Sequence, residues 1–167
     1  MRGSKRMNET FRQLERALDV LMRWGSVGCL AAIFILISAG IFVRFVPVSS
    51  MGWADELIEM GFAWMVFLGA TVLWKERTHF RVDIIPNWLA GSEGGRRLDI
   101  LLNLMNLAFF AVFAYEGGVL TLRTTDPSPI LAWPKAIWYS IMPISGALLA
   151  SYTLRDLVIL FRRRSLT

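Results

Sequence analysis

A single cysteine and a single histidine in 167 residues remove several kinds of chemistry at the outset. Cys29 alone supports neither a disulfide framework nor a cysteine-based metal site within one chain. His79 alone excludes a His-Glu-x-x-His zinc motif and bis-histidine haem ligation. A glycine-rich phosphate loop is missing, as are internal repeats and low-complexity tracts, so an inverted-repeat transporter core is not in view. Cofactors are therefore expected to be none, and enzymatic activity has no residues to rest on. The most informative absence is of charge: residues 24–43, 60–74, 100–115 and 136–154 contain no Asp, Glu, Lys, Arg or His. Side chains of those types at mid-membrane depth mark proton relays, ion sites and substrate counter-charges.

What fills those blocks is apolar, 55% of the chain being hydrophobic. Twenty uncharged residues at 24–43 rise about 30 Å as a helix, enough to cross the hydrocarbon of a bilayer. We expect an all-α integral membrane protein, one membrane domain over residues 1–167, with spans at 21–44, 54–75, 97–122 and 135–156. The first block exceeds a signal-peptide core, and Arg44-Phe45-Val46-Pro47 after it offers no cleavage site, so it is expected to be retained.

Orientation follows from lysine and arginine, which resist translocation. Arg2, Lys5, Arg6, Arg12, Arg16 and Arg23 precede the first span; Lys75, Arg77, Arg81, Arg96 and Arg97 lie between the second and third; Arg155, Arg162, Arg163 and Arg164 follow the fourth. Those fifteen of the eighteen basic residues fall on one side of an even number of spans, leaving Arg44, Arg123 and Lys135 for the other. Both termini are expected in the cytoplasm, in a bacterial inner membrane. The net charge of +5 flanks apolar spans and is not interleaved with aromatics on a soluble face, so no nucleic-acid partner is implied.

Residues 7–23 place Phe11, Leu14, Leu18, Leu21 and Met22 at helical spacing. Two readings stay open: an amphipathic helix in the cytoplasmic interface, or a plain extension of the first span. Residues 46–52 break the chain, and Asp55 and Glu56 then sit where the positive end of a helix dipole favours acids. Residues 79–90 suggest an interfacial segment between helices 2 and 3, anchored by Trp88, and 91–95 a flexible turn. Asp126-Pro127-Ser128-Pro129 is turn-forming, Pro134 suits a helix start, and Pro143 should kink the fourth span.

Candidate polar sites lie at the span ends. Glu59 and Glu116 are either functional or simply reach headgroups or pair with Arg44 or Arg123. His79, among Lys75, Glu76, Arg77, Arg81 and Asp83, fits a structural hydrogen bond at the interface better than catalysis. Anionic phospholipid headgroups are expected at Arg96 and Arg97 and at Arg162, Arg163 and Arg164. Gly61, Gly69 and Ala70, with Ala31, Ala32, Ser38, Ala39 and Gly40 and with Ser145, Gly146, Ala147, Ala150 and Ser151, are read as internal helix contacts.

Two segments resemble a known family. Trp53-Ala54-Asp55-Glu56, residues 62–70 with Trp64, Phe67 and Gly69, and residues 76–83 with His79 and Asp83 are similar to the signature region of the DctQ-type small permease subunit of TRAP (tripartite ATP-independent periplasmic) transporters. Ser128-Pro129-Ile130-Leu131, Pro134, Trp138-Tyr139 and Pro143 resemble that family's link into its last helix. The resemblance spans essentially the whole chain. It implies a non-catalytic, four-helix subunit of a sodium-driven transporter, which braces the scaffold of a large multi-spanning permease subunit and helps dock a periplasmic substrate-binding protein. The large subunit, carrying the substrate and sodium sites, would be a separate chain, because this one ends soon after Arg164. The alternatives are a self-sufficient small oligomeric transporter or channel, using Glu59 or Glu116, and a membrane-bound enzyme or haem subunit.

Overall fold

The computed structural model describes residues 2–45, 51–76 and 93–162. Five helices account for nearly all of them: α1 (Arg2–Phe45), α2 (Gly52–Lys75), α3 (Glu93–Arg123), α4 (Ala136–Tyr139) and α5 (Ile141–Arg162). Among the described residues the only extended pairing is an isolated antiparallel bridge between Pro127 and Pro134. Four stretches, Glu15–Phe45, Gly52–Lys75, Gly94–Arg123 and Ala136–Phe161, are long and apolar enough to cross a membrane. Helices are the natural outcome here, because a lipid-facing backbone must satisfy its own N–H and C=O groups.

The helices overrun the expected spans. α1 is unbroken for 44 residues, roughly 66 Å, so the segment 7–23 continues the first span without a turn at Arg23 and Trp24. α3 begins at Glu93, and Gly94 and Gly95, expected in a flexible turn, belong to its first turn. There the amides have no intrahelical acceptor to lose, and glycine's low helix propensity costs least. The interfacial segment expected at 79–90 lies outside the described residues.

Pro143 lacks an amide, as the sequence reading has it, and its effect falls on the residues just upstream. Its ring excludes the carbonyl four residues back, which is that of Tyr139, the last residue of α4. The result is an interruption of the hydrogen-bond ladder at Ser140, whose backbone stays helical (φ −58°, ψ −24°), and Pro143 occupies the first turn of α5. An amide is not needed at that position.

The chain divides into two compact units, Met1–Val72 with Pro129–Leu131, and Leu73–Ser128 with Ala132–Thr167. In the first, α1 meets α2 along small residues. A Cβ at Gly25 would lie 3.2 Å from Leu68 Cδ1, one at Gly61 3.3 Å from Ile33 Cγ1, and one at Gly69 3.4 Å from Ser26 Oγ. The Ser26 hydroxyl donates to the Met65 carbonyl at 3.2 Å. Close approach of this kind replaces the hydrophobic effect, which lipid does not provide between helices. Much of the apolar surface of α1 from Trp24 onward is exposed, including Trp24, Leu30, Phe34, Ile35, Phe42 and Phe45.

In the second unit the tightest contact is α3 on α5. Gly146 sits where a Cβ would be 3.0 Å from Cα, Cβ and N of Ala114, and a Cβ at Gly117 would be 2.9 Å from Met142 Cβ. Trp74 meets Phe110 edge-on at 4.8 Å. Tyr152 has Lys75 Nζ 5.6 Å and the Arg155 guanidinium 5.9 Å from its ring centre, a pair of cation–π contacts. The buried hydroxyls of Ser145 and Thr153 donate on their own helix, to the Met142 and Leu149 carbonyls, as that of Thr71 in the first unit does to Phe67.

Candidate functional site

The sequence 126–135 contains three prolines, and proline has no amide to donate. Between Pro127 and Pro134 that leaves five N–H groups, those of Ser128, Ile130, Leu131, Ala132 and Trp133. Each has an acceptor. Ser128 donates to the Trp133 carbonyl at 2.7 Å, and Ala132 to the Ser128 carbonyl at 3.1 Å. Trp133 N–H donates to Ser128 Oγ at 3.3 Å. The remaining two, on Ile130 and Leu131, donate to Oε1 and Oε2 of Glu56, each at 2.9 Å.

Two acceptor residues thus terminate a run of four consecutive donors, and both are buried, Glu56 at 8% exposure and Ser128 at 3%. Consecutive amides in a turn form a concavity that suits an anion, and a carboxylate fills this one with both oxygens. Hydrogen bonds to a charged acceptor contribute about 1.5–3 kcal/mol each, more than neutral ones. The tight path requires Ala132 in the left-handed region, φ 56°, where a β-carbon is disfavoured. Pro127 and Pro134 bridge across the base, and Lys135 N–H reaches the Asp126 carbonyl at 3.3 Å.

Glu56 was read from sequence as a first-turn charge on α2. Its neighbour Asp55 matches that description, being exposed, whereas Glu56 points into protein and binds a segment 74 and 75 residues away. Nothing in a single sequence encodes that distance. Ser128 and Pro134 lie in the loop as expected, and Pro129 and Pro134 are exposed. Ser128→Ala is expected to lower the stability of the purified protein by about 1 kcal/mol, the worth of one neutral hydrogen bond, measured by thermal unfolding in detergent. An unchanged transition would show that Ser128 Oγ does not hold Trp133.

The other candidates are dispersed. Trp53 is 39% exposed at the start of α2, while Trp64 and Phe67 are half-buried along it. Gly69 meets Ser26, and Pro143 meets Gly117 and Gly118. Arg96 is half-buried and Arg97 exposed in the first turns of α3, and Arg162 closes α5. His79, Asp83, Arg163 and Arg164 lie outside the described residues. Glu59 and Glu116 are both exposed, and among the described residues neither Glu59–Arg44 nor Glu116–Arg123 forms an ion pair. Sequence reasoning missed Gly117, whose tight contact with Met142 and Pro143 no periodicity announces, and the left-handed Ala132.

Comparison with known proteins gives a consistent picture. The family model described as "Tripartite ATP-independent periplasmic transporters, DctQ component" matches residues 33–163. The chain is 24% identical over 147 residues to a Haemophilus influenzae protein named "Putative TRAP transporter small permease protein", covering 87% of this chain and 88% of that one. It is 29% identical over 139 residues to the "Isethionate TRAP transporter permease protein DctMQ" of Oleidesulfovibrio alaskensis, covering 78% of this chain but 22% of the relative.

Proposed function

Because the chain belongs to the DctQ family of tripartite ATP-independent periplasmic (TRAP) transporter components, we propose that it is the non-catalytic small membrane subunit of a sodium-driven solute transporter. In this reading it braces the scaffold of a large permease subunit and helps dock a periplasmic substrate-binding protein. On the same reading the spans lie in the bacterial inner membrane with both termini in the cytoplasm, an orientation that the lysine and arginine distribution supports.

The observation that carries the reading is the surface of α1. No residue in the most apolar stretch of this helix is buried within the chain, and its exposed face is rich in Trp, Phe and Ile. A helix that shares one narrow seam with a neighbour has most of its circumference left for a partner or lipid. The relative named as a TRAP transporter permease protein DctMQ matches this chain over only 22% of its own length, so its chain continues well beyond the matched part, which supports a large permease partner. The exposed positions of Glu59 and Glu116 support a support role over a polar conduction path inside this chain.

Reconstitution into liposomes tests it. The chain alone, under an inward sodium gradient, is expected to give no uptake of any organic acid offered. Uptake is expected once the large subunit and a binding protein are added, and a chain that transported by itself would overturn the proposal in favour of a small self-sufficient carrier.

A further inference from the structure

The loop 127–134 is built so that it has no amide left to satisfy. Of its residues, Pro129, Ile130, Ala132, Trp133 and Pro134 are exposed, Ile130 by 58% and Trp133 by 45%. An ordinary loop with apolar side chains on show still presents N–H groups that a partner must strip of water. Here three prolines supply none, Ser128 takes two donors of the run and Glu56 the other two. The apolar surface of this loop is thereby available for burial without an unpaired amide, and its backbone is already ordered. Both properties lower the cost of association. The distribution of basic residues puts the loop on the side opposite the cytoplasmic segments, where a soluble periplasmic protein is the partner at hand.

We infer that Glu56 is a positioning residue for docking: its carboxylate, by accepting from Ile130 and Leu131, fixes the loop 127–134 in the single conformation that the soluble binding protein engages. The inference rests on the tripartite reading above and assigns a residue to its docking step. Glu56 itself is buried and does not touch the partner; it acts through the two amides. Asp55, one residue earlier and exposed, carries the same charge without the clamp.

The experiment uses the complete complex, this chain with its large subunit, and the binding protein that purifies with it. Hydrogen exchange at the Ile130 and Leu131 amides and the half-saturating concentration of binding protein are measured for the native complex and for Glu56→Gln, Glu56→Asp and Asp55→Asn. Gln keeps one acceptor oxygen but turns an NH2 toward an amide, so exchange at one or both positions is expected to accelerate on the order of tenfold. The half-saturating concentration is expected to rise by a similar factor, while the maximal transport rate at saturating binding protein stays within about twofold. Asp, too short by one methylene to reach both amides, keeps the charge and is expected to fall between; it also answers for any failure of the Gln variant to assemble. Asp55→Asn is expected to change neither reading.

Unchanged exchange in Glu56→Gln and Glu56→Asp would overturn the clamp. Faster exchange with an unchanged half-saturating concentration would overturn the docking role and leave the loop to the membrane interface. A native complex that captures no binding protein would instead defeat the tripartite reading, and that result is visible before any variant is made.

Discussion

Gly146→Val is expected to destabilise the protein by about 3 kcal/mol, the upper part of the usual range for overpacking a tight contact. Three atoms of Ala114, two of them backbone, lie 3.0 Å from where the new β-carbon would stand. A backbone cannot rotate aside as a long side chain can, so α3 and α5 must separate along their length. The change is costly because the nearby hydroxyls of Ser145 and Thr153 donate to Met142 and Leu149 on their own helix and not across the contact. Dispersion at close range is then the main attraction, and it falls off within an ångström of separation. Gly40→Ala provides the opposite sign, since a β-carbon there meets nothing within 4 Å. Replacing a helical glycine by alanine in open space gains about 0.5–1 kcal/mol. Unfolding of both variants in the same detergent, followed by circular dichroism, checks the pair. A Gly146→Val protein as stable as the native one would mean that α3 and α5 do not approach as closely as described.

The contrast between Gly146 and Gly40 shows where sequence reasoning reached and where it stopped. Both glycines were grouped among small residues for helix contact, because close packing without a hydrophobic drive favours them wherever they fall. Which glycine meets a backbone depends on the rotation of two helices about their axes, and a single sequence holds no such coordinate. Span positions were legible for the opposite reason: the cost of charge in hydrocarbon is local, so an uncharged run announces itself. Span ends were less so. The segment 7–23 continues α1 because its charges fit a helix outside the membrane as well as an interfacial one, and Gly94 and Gly95 enter α3 because a first turn asks little of them. Pro143 was read for its missing amide; its steric conflict with Tyr139 proved the more informative consequence, since it places the interruption at Ser140. Glu56 and Ser128 were singled out by resemblance, but their shared task needed the fold, which brings the carboxylate to amides 74 and 75 residues along the chain.

Glu56→Ala is expected to cost about 3–5 kcal/mol, as large as a deep cavity in a core, although it removes only a short polar side chain. Each of the two 2.9 Å bonds runs from a neutral amide to a carboxylate and is in the stronger class, about 1.5–3 kcal/mol. The loss exceeds what the acid itself contributes to the native state, because Ile130 and Leu131 are left with donors whose remaining neighbours in the run are already committed to Ser128. Water can reach the amide of exposed Ile130 more readily than that of half-buried Leu131, which brings the sum below twice the single-bond value. Ala132 adds to the effect. Its left-handed backbone, φ 56°, is held by the surrounding bonds, and once two of them go the residue gains by relaxing toward the right-handed region, unravelling the turn rather than loosening it. Two comparisons separate these contributions. Ala132→Gly relieves the left-handed strain in the native protein, and because Glu56→Ala already lets that residue relax, it is expected to gain less on top of Glu56→Ala than it gains alone. Asp55→Ala is expected to stay within about 0.5 kcal/mol, as surface changes do. Thermal unfolding of the four variants in one detergent gives all the differences. Equal effects at positions 55 and 56 would mean that Glu56 contributes only through the helix dipole, and the amides of Ile130 and Leu131 would then have to be satisfied by water.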